Sequence, residues 1–211
     1  MKFKHVLLTV LIVLIFDQFS KIYIKTHFYY GEEINVIGNW FKLHFIENEG
    51  LAFGMESGEE WGKIFLTVFR IVAVIWGGFF INNTLIKEKY HNGVIFCSSL
   101  ILAGALGNSI DSVFYGKIFT ESGFHVAHFV PWGEGYEKLL HGRVVDMLYF
   151  PLFSGNFPTW VPIWGGEEFE FFRPVFNIAD AAISVGVITI FLFQKKFLSK
   201  QNVLNLEETH S

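Results

Sequence analysis

Aspartate is the residue type in this sequence whose placement most suggests chemistry. The chain has 20 acidic residues, and only four of them are aspartates: Asp17, Asp111, Asp146 and Asp180. The glutamates crowd into polar connections and the C-terminal tail, as solvated charges do. Three aspartates, Asp17, Asp111 and Asp180, lie instead inside long apolar segments. A carboxylate in such a segment is costly and is usually functional.

Two of these aspartates have an asparagine three positions earlier. The pairs are Asn108 with Asp111 and Asn177 with Asp180. Residues three apart share one face of a helix, and an asparagine amide can donate to a carboxylate and fix its rotamer. A structural polar network that joins helices is the alternative interpretation. The number of acids favours chemistry over such a network.

The composition identifies the solvent in which these acids lie. The chain is 52% hydrophobic, only 17% charged and has a mean hydropathy of +0.40. Four segments are long and apolar enough to cross a bilayer, near 6–26, 64–84, 94–115 and 174–194. We therefore expect an all-α membrane protein of one domain (1–211), a four-transmembrane-helix bundle with a small outward-facing β-sheet and loop subdomain. The small net charge of -4 argues against nucleic acid as a partner.

The connections between the spans predict an orientation. Lysines concentrate in 1–5, 85–93 and 195–211, whereas Lys and Arg are sparse in the long loops 27–63 and 116–173. By the positive-inside rule both termini are cytoplasmic and both long loops face outward. Within the first loop, Ile34 to Ile37, Gly38-Asn39 and Trp40 to Ile46 predict strand, tight turn and strand. Five of the six tryptophans lie in the outer loops, as expected at a membrane interface.

This topology places all four aspartates in the outer half of one bundle. A rise of about 1.5 Å per residue puts Asp17 just past the midplane, Asp111 near the outer face and Asp180 roughly 9 Å below it. Asp146 is expected on the loop that follows helix 3. Two carboxylates in a site of low dielectric cannot both ionise, so one can act as acid and the other as base on water. Asp146 and Asp180 are the best placed for hydrolysis of a peptide bond.

Arg70 is the one arginine inside a predicted span. It lies at about the depth estimated for Asp180, where a lone guanidinium costs several kcal/mol. Either its side chain snorkels to the outer headgroups, or it pairs with Asp111 or with one of the two candidate acids. A nearby cation would favour the ionised form of a carboxylate.

Five motifs in this order resemble those of lipoprotein signal peptidase, or signal peptidase II. They are Asp17-Gln18-Phe19-Ser20-Lys21, Asn48-Glu49-Gly50-Leu51-Ala52-Phe53-Gly54, Gly104 to Asp111, Gly142 to Asp146 and Phe176 to Asp180. The resemblance extends over most of the chain and agrees with the four-span topology.

The resemblance implies an aspartic endopeptidase of the bacterial inner membrane, with its active site at the outer face. Its substrate would be a prolipoprotein that carries a diacylglyceryl group, cut just before the lipidated cysteine, with membrane lipid around it. Neither a metal nor an organic cofactor is implied, and no oligomer is required. Asp146 and Asp180 would be catalytic; Asp17 and Lys21 would be a structural motif. The supporting or substrate-binding residues would be Asn48, Gly50, Asn108, Asp111, Arg143 and Asn177.

The sequence departs from the family pattern in two respects. The helix 3 motif usually continues with arginine, but Ser112 follows Asp111 here, which leaves the partner of Asp111 open. The stretches 116–141 and 152–173 are longer than expected, and the sequence assigns them no role. His125 and His128 are interpreted as interface residues rather than as zinc ligands.

Other classes of membrane protein fit less well. A small transporter or channel could use buried acids as an ion path, but a path needs polar groups at both faces, and the inner ends of the spans are almost entirely apolar. The sequence lacks Gly-x-Ser-Gly, His-Glu-x-x-His and Gly-x-Gly-Asp, which argues against the other intramembrane proteases. A structural membrane subunit would not need the carboxylate pair.

Overall fold

The computed structural model describes residues 1–49 and 60–197, and its helices form a bundle. The helices are α1 (Phe3–His27), α2 (Glu60–Phe80), α3 (Asn92–Ile110), α4 (Gly116–Ile118), α5 (Ile178–Leu192) and α6 (Gln194–Phe197). Helix α2 continues as a π-helix over Ile81–Ile86, and α3 continues through a π-helix over Asp111–Tyr115 into α4. In the described residues, three helical stretches are long and apolar enough to cross a membrane: Phe3–His27, Trp61–Ile86 and Asn92–Ile118. The protein is therefore a membrane protein.

The last apolar helix is shorter than the sequence predicts. The predicted span 174–194 begins with Pro174 and strand β6 (Val175–Phe176), and α5 starts only at Ile178. Asn177 is the reason, because its side chain accepts from Asp180 N while the Asp180 carboxylate accepts from Asn177 N. This capping box satisfies donors at the helix start and fixes where the helix begins. The prediction was wrong by about one turn at this end.

Close packing of α3 against α1 and α5 depends on glycines. A Cβ at Gly104 would lie 2.2 Å from the Ala179 carbonyl oxygen, and one at Gly107 would lie 2.6 Å from Asp17 Oδ2. Small residues of this kind let helix backbones approach closely in a membrane. Helix α3 is therefore the central helix, with residues of α1 and α5 directly against it.

A small antiparallel sheet covers one end of the bundle. Its strand order is β1 (Glu33–Ile37), β2 (Phe41–Asn48), β3 (Val144–Tyr149), β6, and the β1–β2 hairpin confirms the predicted strand, turn and strand. A separate hairpin pairs β4 (Phe153–Asn156) with β5 (Glu168–Phe171). We call the end covered by the sheet the site end; α1 and α3 finish there, and α2 and α5 begin there.

The structure corrects the expected setting of Asp146. The sequence predicts that this residue lies on a loop, but it lies in β3, opposite Ile46 of β2. Its neighbours Val145 and Met147 are buried in an apolar cluster with Phe45 of β2 and with Ile24 and other side chains near the helix ends. Burial on both faces of β3 fixes the register, because a slip of one residue would exchange the faces.

Candidate active site

Asp146 and Asp180 are brought together by the junction between β6 and α5. Strand β6 pairs with β3, with Phe176 opposite Leu148, and Asn177 then caps the helix that carries Asp180. The Asn177 side chain donates to Asp146 Oδ1 at 2.7 Å and accepts from Asp180 N at 2.9 Å. One asparagine thus holds both aspartates, which explains why the sequence places it three residues before Asp180.

Two further asparagines donate to this pair. Asn108 Nδ2 lies 2.8 Å from Asp180 Oδ1. Asn48 Nδ2 is at 3.5 Å from Asp146 Oδ2, at the long limit of a hydrogen bond. Each carboxylate therefore receives at least one side-chain amide, which fixes its orientation without supplying a formal charge.

The two carboxyl groups differ in burial. Asp146 is 2% exposed, whereas Asp180 is partly exposed. Burial, followed by the negative charge of Asp180, raises the pKa of Asp146 to about 7, while the hydrogen bonds from Asn177 and Asn48 oppose the rise. A large fraction of Asp146 is therefore still protonated at neutral pH. A protonated carboxyl beside a second carboxyl is an arrangement for general acid–base catalysis.

A second buried network lies directly behind the pair. Lys21 Nζ is 2.9 Å from Asp17 Oδ2 and 2.8 Å from Asp111 Oδ2, and all three side chains are fully buried. Gln18 Nε2 donates to Asp111 Oδ1 at 2.8 Å. This answers the question that Ser112 raises: Lys21 and Gln18 are the bonded partners of Asp111. Of the alternatives left open for Arg70, an ion pair with Asp111 is therefore wrong. Buried charges persist only when they are paired in this way.

The two networks are connected through Asn108 and the start of α5. Asn108 accepts from Lys21 Nζ at 2.8 Å with the same side chain that donates to Asp180. Asp17 Oδ1 accepts from Ala179 N at 2.9 Å, one residue before Asp180. All four aspartates thus belong to one polar network at the site end, as the depth argument predicts.

Arg70 faces the bundle rather than lipid. Its guanidinium donates to Ser112 Oγ at 2.8 Å. Burial disfavours the charge of this guanidinium, and attraction to the carboxylates of Asp180, Asp111 and Asp146 offsets part of that cost. The hydroxyl of Ser112 in turn donates to the Asn108 carbonyl oxygen at 3.0 Å. Arg70 of α2 therefore places a positive charge next to Ser112, in the π-helix that follows α3.

Arg143 is engaged elsewhere. It lies within 3.6 Å of Glu47 and within 3.4 Å of Glu49, and it donates to Glu121 at 3.3 Å. It is thus part of an acidic cluster beside the pair and not a partner of Asp146 or Asp180. Gly50, the remaining predicted site residue, lies outside the described residues.

The sequence did not indicate the role of Gln18, which belongs to this network, nor a separate buried ion pair between Lys25 and Glu47. Lys25 is fully buried and contacts Glu47 and Ser122 Oγ. A signal for it exists, since Asp17, Lys21 and Lys25 recur every four residues on one helix face. No comparable spacing marks Glu47, whose burial depends on how β2 packs.

Within residues 1–49 and 60–197, no group of three or more His, Cys, Asp or Glu side chains is placed to hold a metal ion. The carboxylates of the site are directed at amides and at Lys21 instead.

The fold and the site define the class of this protein as a polytopic membrane enzyme. A solved structure of a bacterial membrane enzyme, determined by the in meso method at 2.3 Å, superposes with a TM-score of 0.56 at 27% sequence identity, over 93% of this chain and 90% of that one. A second such structure, at 1.9 Å, gives a TM-score of 0.57 at 26% identity.

Sequence comparison identifies the family within that class. The family model for signal peptidase (SPase) II matches residues 9–195, and the chain belongs to this family. The lipoprotein signal peptidase of Porphyromonas gingivalis is 46% identical over 93% of this chain and 85% of its own length. That of Amoebophilus asiaticus is 38% identical over 94% of this chain and 80% of its own length. The family is a protease family, so the resemblance drawn from the five motifs is confirmed.

Proposed function

We propose that this protein is a membrane-embedded aspartic endopeptidase that removes the signal peptide from diacylglyceryl-modified prolipoproteins, cutting just before the lipidated cysteine. The observation that carries the proposal is the asparagine bridge, in which Asn177 bonds Asp146 and caps the helix that carries Asp180. Membership of the signal peptidase II family supports the substrate class. The aspartic mechanism rests on the two carboxyl groups.

The difference in burial assigns the roles. Asp146 carries the proton, because burial raises its pKa to about 7, and Asp180 is then the base. Asp180 takes a proton from water, whose oxygen attacks the scissile carbonyl carbon, while Asp146 donates its proton to the carbonyl oxygen. Collapse of the resulting diol breaks the C–N bond: one diol hydroxyl returns its proton to the Asp146 carboxylate as the carbonyl re-forms, and the proton held by Asp180 passes to the leaving amine. Asp146 is then protonated and Asp180 ionised again, as at the start of the cycle.

The remaining predicted residues act around this pair. Asn108 and Asn177 hold the carboxylates, and Asn48 reaches Asp146 from the sheet. Asp17, Lys21 and Asp111 form the ion network that fixes α1, α3 and the start of α5 relative to one another. We also propose that Gly50 and Arg143 face the substrate. Arg143 contacts Glu47 and Glu49, which flank Asn48 in the sequence.

An apolar groove between α2 and α3 offers room for a substrate acyl chain. Its volume is about 300 Å³, and its lining includes Ala73, Trp76, Gly77, Leu102 and Ala105. Ala73 follows Arg70 by three residues and Ala105 precedes Asn108 by three, so the groove starts one helical turn from the site. We assign this groove to one chain of the diacylglyceryl group, whose peptide would then reach the two aspartates.

The proposed topology has four spans in the bacterial inner membrane, both termini in the cytoplasm and the active site at the outer face. Helix α5 has 15 residues and covers about 22 Å, less than a full hydrocarbon core. Locally thinned lipid, with Lys195 and Lys196 at the inner headgroups, would accommodate it. The opposite end of the bundle is filled by an apolar cluster that includes Val6, Ile81 and Val94, which disfavours an ion path through the described residues.

The function is tested by incubating the purified protein in detergent with a diacylglyceryl-modified prolipoprotein. We expect a single cut, which mass spectrometry places immediately before the lipidated cysteine. The same precursor without its diacylglyceryl group serves as the control and should remain largely uncut. Equal cleavage of both precursors would contradict the proposed substrate class, and no cleavage of either would contradict the function.

A further inference from the structure

The β4–β5 hairpin, residues 151–172, exposes large apolar side chains that the site does not use. Ile163 is 85% exposed and Trp160 is 79% exposed, while Trp164, Phe153 and Phe171 are each more than half exposed. The hairpin pairs with itself and forms a two-stranded sheet apart from the main one. Large exposed apolar side chains concentrated in one segment mark a surface that meets lipid or another apolar partner.

The order of the hairpin rests on aromatic packing rather than on charge. Phe153 stacks on Phe171 with ring centroids 4.6 Å apart, and Phe157 packs on Phe169 at 4.8 Å. Its backbone is closed by the hydrogen bonds of Phe157 with Glu167 and Gly166. These contacts hold the hairpin together, while Trp160 and Ile163 at its tip remain exposed.

The charged residues of the hairpin are all acidic. Residues 151–166 contain no charged residue, and residues 151–172 contain no lysine or arginine; the three glutamates Glu167, Glu168 and Glu170 follow the tip. Tryptophan and phenylalanine without neighbouring charge favour the boundary between headgroups and acyl chains. The absence of basic residues means that attraction to anionic lipid contributes nothing to such binding.

The position of the hairpin in the fold indicates what covers it. Phe172 packs on Phe176 at 6.1 Å, and Phe176 stacks on Phe150 at 5.7 Å, so an aromatic band links the hairpin to the start of α5. Trp61, at the start of α2 and at the same end of the bundle, is 78% exposed. A bilayer that surrounds the apolar faces of α2 and α5 has its boundary at this end.

We propose that the β4–β5 hairpin is a lipid-binding element that inserts its tip, residues 157–166, into the interface of the leaflet at the site end. The occupant of its apolar face is neutral phospholipid, not a second protein. This inference rests on the membrane-spanning helices and not on the proposed peptidase activity. It also gives a role to the longer stretch 152–173, for which the sequence offered none.

The lone cysteine of the chain makes a spin-label test direct. A Cys97→Ala background receives a nitroxide at Ile163→Cys, at lipid-facing Ile75→Cys on α2, or at exposed Lys87→Cys at the other end of the bundle. The protein is placed in phosphatidylcholine nanodiscs, and collision rates with oxygen and with a water-soluble nickel complex are measured. We expect position 163 to be intermediate, with less access to nickel than position 87 and more than position 75.

Two other results would overturn the inference. Nickel access at position 163 equal to that at position 87 means that the tip lies in water. Low access to both reagents at position 163 means that protein, such as a second copy of this chain, covers it. Replacing a third of the lipid by anionic phosphatidylglycerol should leave the rates unchanged, and an increase in protection would contradict the assignment to neutral lipid.

Discussion

Asn177 donates its side-chain amide to Asp146 across 2.7 Å, from a position that also starts helix α5. Helix capping and site assembly thus depend on one side chain. The start of α5 cannot move along the chain without separating Asp146 from Asp180, because the cap and the bridge use the same asparagine. The sheet that carries Asp146 and the helix that carries Asp180 are therefore locked in one register.

Substitution of Asn177 separates its two roles. Asn177→Ala removes both the cap and the bridge, and should cost about 1 kcal/mol of stability together with most of the activity. Asn177→Ser keeps an oxygen that can cap the helix but is too short to reach Asp146. We expect Asn177→Ser to melt close to the parent protein while its kcat falls about tenfold or more, the cost of a hydrogen bond to a carboxyl group. Full activity of the serine variant would show that the bridge is dispensable.

The raised pKa of Asp146 predicts a pH dependence. Cleavage needs its proton, so the rate should fall on the alkaline side as the pH rises through about 7. The stability that Asp146 contributes is fully present below its ordinary pKa of 3.8 and is lost as the pH rises through about 7. Asp146→Asn cannot ionise, so its melting temperature relative to the parent should increase between pH 5 and pH 8. A rate that is constant from pH 6 to pH 9 would contradict the assignment of Asp146 as the acid.

Arg70 places a positive charge near Asp180, Asp111 and Asp146. Arg70→Gln should lower kcat about tenfold with a smaller change in KM, because the carboxylates lose a nearby positive charge while they transfer protons. Arg70→Lys keeps the charge but loses the planar guanidinium, so its kcat should lie between those of the parent protein and Arg70→Gln. Ser112→Ala removes the hydroxyl that accepts from Arg70 and donates to the Asn108 carbonyl oxygen, but it leaves every charge in place. It is the matched control and should stay near the parent rate. If Arg70→Gln cleaves like the parent, the charge has no role.

The groove between α2 and α3 can be filled by one substitution. A Cβ at Gly77 would meet Leu102 at 3.4 Å, an ordinary contact, so Gly77→Leu should fold with its side chain in the groove. We expect its KM for a substrate with long acyl chains to rise about tenfold and its KM for a short-chain analogue to change little. Gly78, whose added Cβ would meet nothing within 4 Å, is the matched control as Gly78→Leu. Equal effects of the two leucines would remove the acyl chain from this groove.

Local sequence patterns predicted a large part of the molecule. The β1–β2 hairpin followed from its turn residues and alternation, and the spans of α1, α2 and α3 followed from hydropathy. The cluster of aspartates followed from their depth along the helices, since a rise per residue is the same in every helix. These features depend on short-range geometry, which is why the sequence alone determines them.

Other features depend on contacts between distant segments. Asp146 lies in β3 because β2 pairs with it about 100 residues away, and no local pattern at 144–149 separates a loop from such a strand. The partner of Asp111 is Lys21 because α1 packs against α3, and no local pattern separates this pairing from the alternative with Arg70. Helix α5 starts at residue 178 and not at the predicted residue 174, because Asn177 is its N-cap. Only the hydrogen bonds of Asn177 reveal this role.

The central claim is that Asp146 and Asp180 together cleave the substrate, and single-turnover cleavage by the two amide variants tests it most directly. Asp146→Asn, Asp180→Asn and the double variant are compared with the parent on one diacylglyceryl-modified prolipoprotein, after thermal melting has shown that each is folded. We predict that each single variant loses nearly all activity and that the double variant loses little more, because the two groups act as a unit. Retention of more than about a tenth of the parent rate by either folded single variant, a barrier change below ~1.4 kcal/mol, would contradict the claim for that residue.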